Sequence, residues 1–193
     1  MNYHFIFGIL AAASSVTAIC FYVSSILRHE TKPNRATWII WNITNIILLT
    51  SYFSVGARAT IFLPVVYFIN ALIVLFLSFR YAVSSWSRLD FLTIFIAGCS
   101  LLVWFITKNP LTALLMNLTM DASGYLPTIK KAYIEPSSES RLAWSLIFLG
   151  TCFNLFAINH FSFGIIIYPI VMFSMNGIMI GTLLYRRNIS KNP

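Results

Sequence analysis

Charge is what this chain has least of. Only 9% of its 193 residues are charged and only 5 are acidic, while 59% are hydrophobic. Soluble domains carry about 25% charged residues. A sizeable water-facing domain is therefore excluded, and the composition is that of a polytopic membrane protein. Cysteine is also scarce. Cys20, Cys99 and Cys152 all fall inside apolar stretches, so they give neither a disulfide framework nor a metal-ligand spacing and read as small packing residues. His4, His29 and His160 fall near the ends of such stretches, where water reaches them, and form no Cys/His cluster. There is no glycine-rich phosphate loop, no Ser/His/Asp arrangement and no pair of carboxylates within one apolar stretch. An enzyme site needs cooperating polar groups, so the sequence predicts a non-enzyme without cofactor or metal.

What is present is long and apolar. Seven stretches can be drawn, at 3–27, 36–56, 60–80, 88–107, 110–131, 142–159 and 163–185. Each is near the roughly 20 residues with which a helix crosses about 30 Å of hydrocarbon. The runs are continuous rather than alternating, which favours helices over barrel strands. The first lacks a basic leading region and has the length of a span, so it is not read as a signal peptide.

The net charge of +8 is unevenly placed. Arg28, Lys32, Arg35, Arg80, Arg88, Lys130, Lys131, Arg141, Arg186, Arg187 and Lys191 fall in loops 1–2, 3–4 and 5–6 or at the C-terminus; only Arg58 and Lys108 fall on the other side. This asymmetry predicts an N-terminus outside and a C-terminus in the cytoplasm. Basic residues dispersed over loops suit anionic lipid rather than nucleic acid. The short tails and lack of a sorting signal suggest a bacterial inner (plasma) membrane, with the bilayer and a small-molecule solute as partners. Oligomeric state stays open, since a duplicated chain can form a pathway alone or as a homo-oligomer.

The chain is internally duplicated. Pro33 and Pro136, Trp41 and Trp144, Tyr22 and Tyr125, Ile26 and Ile129, and Arg28 and Lys131 each stand 103 residues apart. Pro64 and Pro169 correspond once two residues are inserted, and Asn70 then falls within one position of Asn176. The repeat divides the chain into a first three-helix unit at 1–82, a linker helix at 83–108 and a second three-helix unit at 109–193. An odd linker makes the units parallel, giving a 3+1+3 bundle with a pseudo-two-fold along the membrane normal. Proline inside a span removes a backbone bond and bends the helix. Pro64, Pro127 and Pro169 are therefore candidate hinges for two rocking half-bundles.

This plan resembles the SWEET sugar transporters and the wider PQ-loop group. Tyr125-Leu126-Pro127-Thr128 resembles the group's proline and polar residue near the cytoplasmic end of the first helix of a repeat; the first repeat has Ser24-Ser25 there. SWEET proteins place an asparagine in the third helix of each repeat facing the substrate, and Asn70 and Asn176 occupy those helices. The resemblance implies alternating-access transport of a sugar, with Asn70 and Asn176 hydrogen-bonding the solute. An amino acid is the alternative solute. A seven-helix receptor that binds a ligand without moving it, and a vitamin or nucleoside transporter of the nicotinamide riboside type, share the same architecture.

The residue that stands apart is Asp121, roughly 15 Å from either end of its span. An ionised carboxylate there is costly unless paired, hydrated or protonated, and no basic residue lies within a span to pair with it. Three readings follow: proton coupling, neutralisation of a cationic solute, or a protonated acid holding a neighbouring helix. Asn117, Asp121, Tyr125 and Thr128 share one helix face. The repeat partner of Asp121 is Ala18, so the acid belongs to one half only. Trp41 and Trp144 read either as interfacial tryptophans or as aromatic walls. A midplane cavity lined by Trp41, Asn45, Tyr67, Asn70, Asp121, Tyr125, Trp144 and Asn176 is expected. Lys32 and Glu135, opposite in charge at equivalent positions, form either a latch between the repeats or a solvated loop.

Overall fold

The structure is a computed structural model that describes residues 3–82 and 87–189. Of the basic residues counted above, Lys191 lies outside that range, as does the side chain of Arg187. Seven α-helices occur among the described residues, and no strand. They are α1 (Tyr3–Leu27), α2 (Arg35–Ser54), α3 (Phe62–Tyr81), α4 (Arg88–Thr107), α5 (Pro110–Ile134), α6 (Arg141–Phe156) and α7 (Phe163–Ile189). Short 3-10 turns precede α3 at Ala59–Ile61 and α6 at Pro136–Ser138.

Polar side chains start three of the helices, satisfying amides that have no partner within the helix. Asn34 accepts from the Thr37 amide at 3.0 Å, Asn109 from the Leu111 and Thr112 amides, and Ser140 from the Ala143 amide. Pro110 follows Asn109 at the first helical position, where its missing N–H costs nothing.

The helices α1, α2 and α7 are each long and apolar enough to cross a membrane, as is α3 together with its preceding turn. α6 is apolar but short. α5 carries too many polar groups to meet that standard, because one face holds Asn117, Asp121, Tyr125 and Thr128 and its end holds Lys130 and Lys131. The exterior is suited to lipid. Ile69, Ile73 and Phe76 of α3 point outward, as do Phe91, Phe95 and Leu102 of α4. The interior is unusually polar, with Ser15, Thr37, Thr44, Asn45, Asn70, Asn117, Asp121 and Asn154 buried. Large exposed apolar belts mark contact with something other than water. Cys20 and Cys99 belong to that outer surface, which corrects the reading of these two as packing residues, and Cys152 is half-buried.

Packing repeats across the two halves. α3 touches both α1 and α2, and α7 touches both α5 and α6. Between the halves, α1 lies on α6 and α2 on α5. Exchanging α1, α2 and α3 for α5, α6 and α7 maps these pairings onto themselves. α4 stands outside the pattern, against α5 and α2. Asn34 ties it in, donating to Asp90 at 3.0 Å while capping α2 with its other amide atom.

The ends of the bundle differ. At one, the loop after α1, the start of α4, the α5–α6 turn and the C-terminal part of α7 come together. Lys32 meets Glu135, Asn34 meets Asp90, and Arg186 donates to the Tyr133 carbonyl. The other end holds Gly8 against Ala59 and Gly164 against Val55. Arg58 belongs to this second end, stacked over Phe53.

The proline expectations separate. Pro127 and Pro169 lie inside α5 and α7. Pro64 does not act as a mid-helix break. It stands in the first turn of α3, where amides lack helical partners in any case, so it removes no bond that a hinge would need.

Candidate functional site: an aromatic cavity between the two halves

Repeat-paired aromatic residues build the centre of the molecule. Trp41 of α2 and Trp144 of α6 face each other at 6.4 Å between ring centroids. Tyr125 of α5 packs on Trp41 at 4.8 Å, and Tyr22 of α1 lies 6.3 Å from Trp144. Trp38 closes the group, edge-on to Trp41 at 4.9 Å. These rings are buried, which excludes the interfacial role for Trp41 and Trp144.

A cavity of about 60 Å³ opens beside them, room for a few water molecules. Trp41, Asn45, Tyr67, Asn70, Asp121, Tyr125 and Trp144 all line it, together with Ser15, Tyr22, Trp38 and Tyr168. Asn176 is not among the lining residues. Its amide oxygen accepts from the Tyr125 hydroxyl at 3.1 Å and its amide nitrogen donates to the Met172 carbonyl. It therefore positions Tyr125, and the matched asparagines differ in place. The Asn70 amide lines the cavity and also donates to the carbonyl and hydroxyl oxygens of Ser15 on α1.

Asp121 sits one turn before Gly124 on α5, where that helix packs tightly on α2. The approach depends on Gly124: a Cβ there would stand 2.7 Å from the Trp41 indole nitrogen. That indole donates to the Asp121 backbone carbonyl at 3.1 Å. One turn along, Thr37 donates to the Gly124 carbonyl at 2.9 Å and lies 3.0 Å from the Thr128 hydroxyl. The Thr44 hydroxyl has one proton and two acceptors, the Trp41 carbonyl and Asp121 Oδ1, both at 3.1 Å. An ionised Asp121 takes that proton as acceptor. A protonated Asp121 instead donates to Thr44, whose own proton then serves the Trp41 carbonyl. Both protonation states are satisfied without moving a helix.

Two further acids are buried, Asp90 at the start of α4 and Glu139. Glu139, in the turn before α6, is wholly buried. Its Oε2 accepts from the Tyr22 hydroxyl at 3.1 Å and from the Trp144 indole at 2.9 Å. Lys131 pairs with it and also donates to the Lys32 carbonyl. Two cavity-lining side chains, Tyr22 and Trp144, are thus anchored to one carboxylate. Tyr22 and Lys32 belong to the first half, while Glu139, Lys131 and Trp144 belong to the second. The signal for Tyr22 was present, since its repeat partner is Tyr125. Glu139 carried none, because its partner is Ala36.

Lys32 and Glu135 do pair, at 3.7 Å, with both side chains about half exposed. Exposed pairs of this kind contribute about 0–1 kcal/mol. Reversing both charges (Lys32→Glu with Glu135→Lys) is expected to leave thermal unfolding in detergent within that margin. A loss well beyond it would make the pair a structural latch.

The far end of the bundle is also bonded across the halves. The Tyr52 hydroxyl donates to the Ile165 carbonyl of α7 and lies against the Thr60 hydroxyl, which can donate to it, both at 2.9 Å. Its ring packs on Tyr168 at 4.9 Å. Asn117 of α5 and Asn154 of α6 are buried, with neither amide atom of either hydrogen-bonded. No group of three or more metal-ligating side chains occurs among the described residues. Comparison of the chain with protein-family models, curated proteins and solved structures gives no match. The chemistry of the cavity itself is what points to a use.

Proposed function

We propose that this protein is a membrane transporter of a small polar solute, working by alternating access between α1–α3 and α5–α7, with α4 as the linker of a 3+1+3 bundle. The N-terminus faces outward and the basic end faces the cytoplasm of a bacterial cell. Asp121 exchanges a proton during the cycle. The observation that carries the reading is the position of Asp121: an uncompensated carboxylate in a cavity on the seam between two repeat-related halves, with Thr44 able to serve either protonation state.

Bonds cross between the halves at the centre, where Trp41 and Thr44 reach Asp121, and also at both ends of the seam, where alternating gates would stand. At the basic end they are the Tyr22–Glu139 bond, the Lys131–Lys32 contact and the 3.2 Å bond from the Lys32 amide to the Ser138 carbonyl. At the other end they include Tyr52 to Ile165 and His4 to the Phe156 carbonyl. Pro127 and Pro169 soften the helices beside these gates.

Flux into proteoliposomes tests the proposal, using sugars, amino acids and small amines with and without a pH gradient. Uptake of at least one class is expected, accelerated by the gradient. Asp121→Asn is expected to lose the acceleration while retaining exchange without a gradient. Full gradient-driven uptake by that variant would remove the proton role. Saturable binding with no flux of any solute would favour a receptor.

A further inference from the structure

We infer that the cavity selects a small organic cation, an amine or quaternary ammonium group set against the Asp121 carboxylate and walled by the rings of Trp41, Tyr125 and Tyr168. This names the solute class for the site proposed above and rests on that reading of the cavity.

Three observations converge. The first is charge. The molecule buries three acids and treats them differently: Asp90, at the start of α4, accepts from Asn34 and from the Ser87 amide. Glu139 has Lys131 as its counter-ion. Asp121 has none among the described residues, and no Lys, Arg or His lines the cavity. A buried carboxylate without compensation is unfavourable, and a cationic solute supplies the missing charge.

The second is hydrogen-bond polarity. The indole N–H groups of Trp41 and Trp144 are taken by the Asp121 carbonyl and by Glu139. The Asn70 amide nitrogen is taken by Ser15, and that of Asn45 donates to the Trp41 carbonyl at 2.6 Å. The indole and Asn70 donors are spent on the protein, while the buried Tyr67 and Tyr168 hydroxyls have no hydrogen-bond partner and can accept. An ammonium group brings donors and no acceptor, so it complements what remains. A solute carboxylate would meet Asp121 with no Lys, Arg or His in the lining and both indole N–H groups already used.

The third is the wall itself. Indole and phenol rings attract cations through their electron-rich faces. Aromatic side chains concentrated around one carboxylate give both terms at once. Tyr168 adds a buried hydroxyl with no hydrogen-bond partner.

Binding is measured in detergent without flux, so failure here is told apart from failure of transport. Tryptophan fluorescence is titrated with methylammonium, tetramethylammonium and choline, against 3,3-dimethylbutan-1-ol (the uncharged isostere of choline), glucose and glycine. At least one cation is expected to bind saturably, with choline preferred over its isostere by about tenfold or more. Asp121→Asn is expected to abolish that preference. If this variant does not fold, the choline-to-isostere ratio in the unaltered protein still decides. Equal binding of the isostere, or of glucose or glycine, overturns the inference. So does the absence of saturable binding by every cation to protein that melts cooperatively. Cation binding without transport leaves the inference standing and sinks only the transport cycle.

Discussion

Glu139→Ala is expected to lower the stability of the detergent-solubilised protein by about 3–5 kcal/mol, the cost of breaking a buried ion pair from one side. The truncation does three things at once. It leaves Lys131 without its counter-ion, and it strips the acceptor from the Tyr22 hydroxyl and from the Trp144 indole. Each buried donor left unpaired adds about 1–3 kcal/mol of desolvation, although such terms overlap within one network. Glu139→Gln separates the contributions, because its amide oxygen still accepts from Tyr22 and Trp144 while the charge is gone. The glutamine variant should therefore fall between the wild type and the alanine variant. Thermal unfolding of the three proteins side by side is the measurement. Equal melting of the alanine variant and the wild type would mean that Glu139 is solvated, and the central network described here would be wrong. Tyr22 is the only side chain of the first half that holds this carboxylate in the hydrogen bonds described. Loss of Glu139 should also loosen the basic end and make Tyr22→Cys accessible to a water-soluble thiol reagent from that side.

Gly124→Ala is expected to cost about 1–3 kcal/mol, the usual penalty for forcing an extra methyl into a packed contact. The clash falls on the Trp41 ring at 2.7 Å, with Ile40 at 3.4 Å behind it. Trp41 cannot yield without breaking its bond to the Asp121 carbonyl, and its ring also packs on Tyr125, Trp38 and Trp144. Alanine is the better helix former by up to about 1 kcal/mol, so the net loss is the smaller for it. Gly181→Ala is the control, since nothing lies within 4 Å of its added methyl. That variant should be neutral or slightly stabilised. The functional consequence of Gly124→Ala is larger than the stability cost, because the displaced indole is a wall of the cavity. Solute affinity should fall even where the protein still melts cooperatively. An unchanged affinity would mean that Trp41 does not contact the solute.

Asp121 and Glu139 show where reading from sequence succeeds and where it stops. Asp121 was visible because a carboxylate in the middle of a long apolar run violates the run, and no fold is needed to notice the violation. Glu139 was invisible because it lies between Pro136 and the start of α6, where acids are ordinarily solvated. Its burial depends on Lys131 eight residues earlier and on Tyr22, 117 residues away. The same distinction holds for the asparagines. Both were placed on third helices by the repeat, yet Asn70 lines the cavity and Asn176 stands behind Tyr125. A repeat gives equivalent positions, but the two-residue insertion that aligns Pro64 with Pro169 leaves the asparagines one position out of step.

By itself the sequence determined the helices, since apolar runs of membrane length bounded by Asn34, Asn109-Pro110 and Ser140 leave the backbone no other way to satisfy itself in lipid. It also determined which aromatic residues are equivalent, because the duplication is written in the chain. Only the tertiary structure decided which of these groups meet. Gly124 admits Trp41, Thr44 reaches Asp121, and Lys131 pairs with Glu139 while no Lys or Arg among the described residues pairs with Asp121. The physical reason is range: helix formation is settled within a few residues, whereas the pairing of a buried charge is settled by whatever distant side chain the packing brings to it.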